Sequence, residues 1–215
     1  MRVAPEGRPF ILAGLAVLAA LAAVGWWLGG WWLAAPALWA PIALWVPWFF
    51  RDPARTGPRG EHLILAPADG KVVSVVGVDE TTFVASRATR VSVFMNVFNV
   101  HVNRYPADGA VAHRSYRPGR FVNATLDKAS EDNEQMSLGI RTARGPLLVR
   151  QIAGLVARRI VTDADVGDDV RQGERLGLIR FGSRVDTFVP EGAQVLVRAG
   201  QRTQAGVTVI AEWPR

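Results

Sequence analysis

Two patterns of apolar and polar positions divide the chain. From Pro9 to Phe50 no residue carries a charge, and apolar side chains fill every face that a helix would present. One helix crossing the hydrocarbon of a bilayer needs roughly 20 residues, so the run is long enough for two. The pattern predicts helices over about 10–28 and 31–50, with Gly29-Gly30 as the turn between them. Beyond about residue 60 the pattern changes to period two. Short, Val-rich runs at 71–78, 90–94, 97–102, 147–152, 194–198 and 206–210 read as strands. Turn residues bound them at 68–70, 106–109, 117–119 and 143–146. No long amphipathic helix is visible in this half. The expectation is a mostly β chain: one soluble β-rich domain over 61–215, a Pro- and Gly-rich linker over 51–60, and an N-terminal hydrophobic helical hairpin over 1–50.

The flanks of the apolar run give it an orientation. Arg2 and Arg8 precede it, and Arg51, Arg55 and Arg59 follow it. Positive charge at both ends puts both on the cytoplasmic side of a cell (inner) membrane, with the β-rich domain there too. Trp26, Trp27, Trp31 and Trp32 surround the turn, where an aromatic belt at the far interface would lie; Trp45 and Trp48 would mark the near one. A cleaved signal peptide has an apolar core of only about 7–15 residues, and this run continues far beyond that. A shallow re-entrant hairpin stays open beside the spanning one, because Pro36, Pro41 and Pro47 interrupt the second half.

Charge and composition narrow the chemistry. The formal net charge is +6, and of the 25 basic residues only Lys71 and Lys128 are lysines. An anionic membrane face suits that balance. Nucleic acid is a poorer partner, since the arginines are dispersed and the soluble part has few exposed-looking aromatics. There is no cysteine, which removes disulfides, thiolate metal sites and cysteine nucleophiles. No two histidines show metal-ligand spacing, so no metal is expected.

The segment Val166-Gly-Asp-Asp-Val-Arg-Gln-Gly-Glu-Arg-Leu-Gly177 has the spacing of the hammerhead turn in biotinyl- and lipoyl-like β-domains. Its glycines supply positive φ while Val170 and Leu176 pack inward. It is a fold signal, because neither lysine sits where a carrier domain modifies one.

Candidate chemistry collects at three places. Gly182-Ser183 ends one apolar run and begins the next. A serine hydroxyl can attack the carbonyl just before its own nitrogen, and a glycine there leaves the approach unhindered; a bulge or tight turn between strands is the plainer reading. His101 lies in an alternating Asn99-x-His101-x-Asn103 pattern, either a hydrogen-bonded core histidine or part of a polar strand face that orients a substrate. Asp69, before Gly70, is either an Asx-turn residue or a carboxylate that orients a histidine in a Ser-His-Asp arrangement. His62 and His113 read as surface or packing residues.

Several ordered stretches resemble the short bacterial type of phosphatidylserine decarboxylase proenzyme: 49–53, 66–72, 98–104, 116–121, 123–130, 133–135, 151–160 and 180–186. The resemblance implies a lyase of phospholipid biosynthesis that decarboxylates phosphatidylserine to phosphatidylethanolamine. It implies self-cleavage at Gly182-Ser183 into a β chain of 1–182 and an α chain of 183–215, which remain together as a heterodimer. Ser183 then becomes a covalent pyruvoyl group, which forms a Schiff base with the substrate amine and acts as electron sink. His101 matches a family histidine expected to transfer protons, and Asp69 the aspartate expected to orient a base or polarise the serine. Asn103, Arg104 and Arg184 are candidates for holding the phospholipid, as is Arg120. Two departures from the longer bacterial branch stand out: Arg104 replaces a second histidine, and Phe181-Gly-Ser-Arg184 replaces Leu-Gly-Ser-Thr. The competing expectation is a non-enzymatic, membrane-tethered β-domain serving as adaptor or lipid-binding module.

Overall fold

A computed structural model describes residues 2–119, 133–154, 159–180 and 182–214. The chain divides into two compact units, Met1–Ala54 and Arg55–Arg215.

The first unit is the helical hairpin. Helices α1 (Arg8–Leu28) and α2 (Ala34–Phe49) are joined through Gly29 and Gly30, whose φ values of +64° and +58° turn the chain where a β-carbon would be strained. The helices approach closely: the Trp39 indole donates to the Gly14 carbonyl across the pair at 2.9 Å. Short strands β1 (Arg2–Val3) and β2 (Arg51–Asp52) pair and close the open end. The prolines behave differently from the sequence expectation, since α2 runs unbroken with Pro41 and Pro47 inside it. Two helical segments, Pro5–Leu28 and Gly30–Phe49, are long and apolar enough to cross a membrane.

The second unit is β-rich. Its strands in chain order are β3 (Leu63–Leu65), β4 (Gly70–Glu80), β5 (Ser86–Met95), β6 (Val102–Arg104), β7 (Gly109–Arg117), β8 (Gln135–Thr142), β9 (Gly145–Ala153) and β10 (Ile160–Thr162). Then come β11 (Asp169–Val170), β12 (Arg175–Ile179), β13 (Ser183–Pro190), β14 (Gln194–Val195), β15 (Arg202–Thr203) and β16 (Val209–Glu212). Eight of them form one antiparallel sheet in the order β11-β7-β8-β9-β13-β5-β4-β15. Two three-stranded sheets, β10-β12-β6 and β14-β16-β3, complete the unit. The main core joins all three: Val91, Val93, Val149 and Val185 from the large sheet meet Leu176 and Ile179 of β12 and Ile210 of β16. Alternation along β13 assigns its faces, with Val185 and Val189 in this core and Phe188 in a smaller cluster with Val84, Ala88 and Leu148.

The hammerhead turn has its expected form. Gly167 and Gly173 have φ of +103° and +80°, and Val170 and Leu176 are buried. Gln172, to which the motif assigns no role, fastens the turn to the rest of the unit. Its amide donates to the Leu63 carbonyl at 2.7 Å and accepts from Gly60 N–H at 3.0 Å. The run at 97–102 departs from the strand reading. After β5 the chain turns, with Asn99 Oδ1 accepting from Asn96 N–H and Asn96 Oδ1 from Phe98 N–H, and only at Val102 does a strand resume. Asparagine side chains that bond nearby backbone offer an alternative to the ladder, and here that alternative prevails.

Tyr105 lies in the main core with its hydroxyl unpartnered among the described residues. Burial, aided by Asp163, Asp168 and Glu174, pushes its pKa up to about 12. A raised folded value means the phenol's contribution is complete below its unfolded pKa of about 10 and is lost as pH rises toward the folded one. Tyr105→Phe is expected to leave stability at neutral pH unchanged or higher, because a buried unsatisfied hydroxyl is removed. It should also flatten the alkaline fall in stability between about pH 10 and 12, measured by urea unfolding.

Candidate active site

Ser183 opens β13 at the middle of the large sheet. Its register partners are Met95 on β5 and Ala153 on β9, so two ladders hold its backbone. Its side chain shares the core-facing side with Val185 and is fully buried, and the hydroxyl has no hydrogen-bond partner among the described residues. Such a group is costly to bury idle and calls for an explanation. Gly182, just before it, has φ of +64°, and a β-carbon there would meet no atom within 4 Å. The scissile candidate therefore joins a left-handed glycine, with open space beside it, to a clamped serine.

His101 reaches this junction from the chain leading into β6. It is fully buried. Its Nδ1 lies 3.0 Å from the Asn99 carbonyl, which only accepts, so Nδ1 carries the proton. Nε2 then offers a lone pair, and Gly182 N–H donates to it at 3.4 Å. The imidazole is thus oriented with its basic nitrogen toward the Gly182-Ser183 step.

Asp69 is engaged elsewhere. Its carboxylate accepts from Arg55 Nη2 at 2.7 Å and from Ala205 N–H at 2.8 Å. It joins the start of this unit to the segment after β15, and these are its partners among the described residues. The triad expected on the sequence does not form in this geometry: Gly182, Ser183 and His101 come together, and Asp69 orients neither His101 nor Ser183. Arg104 Nη1 donates to the Gly173 carbonyl at 3.1 Å, at the hammerhead turn. Arg184 is buried on the face opposite the Ser183 side chain and grips Asp186, with contacts of 2.8 and 2.9 Å. Asn103 is buried and accepts at Oδ1 from Gln151 Nε2 at 2.8 Å. Arg120 lies outside the described residues. His113 packs its ring against Phe83.

Gln151 is a site residue that the sequence reading misses, although a signal for it exists. Leu147, Val149 and Ala153 on β9 face the main core, and a glutamine interrupts that row at the same period. No local signal marks Arg55 as the partner of Asp69.

The family model for phosphatidylserine decarboxylase matches residues 42–211. The chain belongs to the phosphatidylserine decarboxylase family. It is 51% identical to the phosphatidylserine decarboxylase proenzyme of Saccharopolyspora erythraea, over 98% of this chain and 88% of that protein. The proenzyme of Symbiobacterium thermophilum is 49% identical over 99% of this chain and 96% of its own length. That of Azorhizobium caulinodans is 45% identical, covering 97% and 88%. The stretches that carry the resemblance to phosphatidylserine decarboxylases include the residues that the fold gathers around Ser183.

The Arg55–Asp69 pair is largely shielded from solvent. Removing one partner of such a pair leaves a charge without compensation, at a cost of about 3 kcal/mol. Asp69→Ala, made in a Ser183→Ala chain so that processing does not interfere, should lower the urea midpoint accordingly. Adding Arg55→Ala should cost little more, and two additive losses would show that the pair is not coupled.

Proposed function

We propose that this chain is a self-processing, pyruvoyl-dependent decarboxylase that converts phosphatidylserine to phosphatidylethanolamine and carbon dioxide. The observation that carries the reading is the buried, unpartnered Ser183 hydroxyl beside a left-handed Gly182, with His101 Nε2 accepting from the Gly182 N–H next to the bond to be cut. These residues fit a prosthetic group made in place: the serine is already enclosed, and the open space beside Gly182 admits the movement that cleavage requires.

His101 Nε2 takes the Ser183 hydroxyl proton as the oxygen attacks the Gly182 carbonyl. The Gly182–Ser183 C–N bond breaks, and the acyl group passes from nitrogen to oxygen as an ester. Loss of the Ser183 α-proton then expels the Gly182 carboxylate. Addition of water and loss of ammonia leave a ketone at position 183. That pyruvoyl group supplies an electron sink for the carbanion that forms when an amino acid loses carbon dioxide. The bulk of the site stays unaltered by the cut, because β13 is hydrogen-bonded on both sides and β15 and β16 pair with β4 and β3. The α chain of 183–215 therefore stays seated in the β chain of 1–182 as a heterodimer.

The lipid substrate requires a bilayer, and the apolar hairpin supplies an anchor. Trp26, Trp27 and Trp31 at its turn are each largely exposed within the chain, which suits a membrane interface. With arginines at both ends, the hairpin spans an inner membrane and leaves the catalytic unit on the cytoplasmic side.

Intact mass spectrometry of the purified full chain tests the central reading. Wild type should separate, under denaturing conditions, into fragments 1–182 and 183–215, the latter carrying a ketone in place of an amino terminus. Ser183→Ala should remain one chain and release no carbon dioxide from phosphatidylserine. Wild type that decarboxylates phosphatidylserine while uncut would overturn it. In vesicles with brominated acyl chains, tryptophan fluorescence should be strongly quenched, since seven of the eight tryptophans lie in the hairpin; unquenched emission would exclude insertion.

A further inference from the structure

A line of polar side chains, half-buried at Thr162 and buried at Gln151 and Asn103, leads toward Ser183, and the proton transfers assigned to His101 leave it unused. Thr162, on β10, donates its hydroxyl to Gln151 Oε1 at 3.0 Å. Gln151, on β9, donates Nε2–H to Asn103 Oδ1 at 2.8 Å. Both amides are almost wholly inaccessible to solvent. Each bond fixes the sense of the next: an amide oxygen that accepts leaves its nitrogen to donate away from that partner. Asn103 is thereby turned so that Nδ2 faces Met95, meeting its sulfur at 3.6 Å. A thioether is a weak acceptor, so this buried donor is poorly matched in the intact chain. Met95 is the cross-strand partner of Ser183. Two mismatched polar groups, the Asn103 amide and the Ser183 hydroxyl, thus flank one flexible side chain.

We propose that Asn103 donates a hydrogen bond to the oxygen that becomes negative when Ser183 attacks the Gly182 carbonyl, and that Gln151 and Thr162 are positioning residues that hold the amide in that sense. The inference rests on the self-processing reading. In the step concerned, the Ser183 O–H bond breaks and its proton goes to His101 Nε2. The Oγ–C bond to Gly182 forms, and the carbonyl π pair moves onto oxygen, where Asn103 Nδ2–H meets it. When that pair returns, the C–N bond breaks and the proton passes to the departing nitrogen. An amide fixed in advance and aimed where charge develops needs no reorganisation as the charge appears. In the intact chain the amide meets only the weakly accepting Met95 sulfur, and an oxyanion is a far stronger acceptor.

Time courses of cleavage in the full chain, followed by intact mass after in vitro synthesis, test the assignment. Asn103→Ala should slow processing by about 10²-fold, the loss typical of one such donor. Gln151→Glu and Thr162→Val, which only release the amide, should slow it by roughly ten-fold. Asn103→Asp supplies a readout that packing alone would not move. As its carboxyl takes up a proton it regains a donor, so its deficit relative to wild type should shrink as pH falls, while that of Asn103→Ala should not.

Hydroxylamine, which cleaves an ester, locates the step: it should not restore fragment release in Asn103→Ala. Rapid release with hydroxylamine would mean that the ester forms normally and would overturn the assignment. Should Asn103→Ala fail to fold, the Gln151 and Thr162 variants decide it, and wild-type rates in both would overturn it. Cleaved wild type with undiminished variants refutes this assignment alone; uncleaved wild type refutes the self-processing reading and this one with it.

Discussion

The two hydrogen-bonded ladders on either side of β13 are the constraint on which the site depends. They fix Ser183 between Met95 and Ala153, and alternation then sends its side chain to the core-facing side. Gly182 lies just outside those ladders, with a left-handed backbone, open space where a β-carbon would stand and its N–H bonded to His101 Nε2. A nucleophile held fast beside an unhindered glycine suits an intramolecular attack, because little orientational freedom remains to be lost at the serine. The histidine enters from a third direction, through a turn braced by Asn96 and Asn99.

The same ladders would govern the fate of the two halves after a cut at 182–183. Backbone cleavage commonly releases chain entropy that favours disassembly, but the severed strand here is central. It would remain between β5 and β9, and the residues after it contribute to both the large sheet and the β14-β16-β3 sheet. Asp69 adds a fastening of another kind, since its carboxylate binds Arg55 on one side and the Ala205 amide on the other. Its place is at the seam between the segments that would become two chains. This accounts for a half-buried carboxylate there without requiring it to touch the histidine.

Much of this was legible in the residues, for identifiable reasons. The hairpin declared itself because two bilayer-length apolar runs have few other uses. The hammerhead turn did so because positive φ demands glycine at fixed intervals, and Gly167 and Gly173 meet that demand. Gly182-Ser183 stood out through its chemistry. The strand assigned at 97–102 was lost because alternation at Asn99 and His101 resembles a sheet face, whereas the Asn96 and Asn99 side chains had the stronger local effect. Arg55 was invisible as a partner for Asp69, since an ion pair between a linker and a strand end leaves no periodic trace. Gln151 was readable in principle: a glutamine at a core-facing position must have a bonding partner, though which one only the fold can say.

The opposite face of β13 explains how the register is kept. Arg184 and Asp186 are both buried and joined to each other there, where apolar residues would have packed at less desolvation cost. Their use lies in what a slip would do. Shifting β13 by one residue exchanges its faces, which would drive a guanidinium and a carboxylate among Val93, Val149 and their neighbours and carry the Ser183 hydroxyl out of its enclosure. Two valines changing places with each other would set no such penalty, and backbone ladders alone form equally well in either register. A charged pair adjoining the serine therefore penalises the one misalignment that would abolish the site, and it does so beside the bond proposed to break.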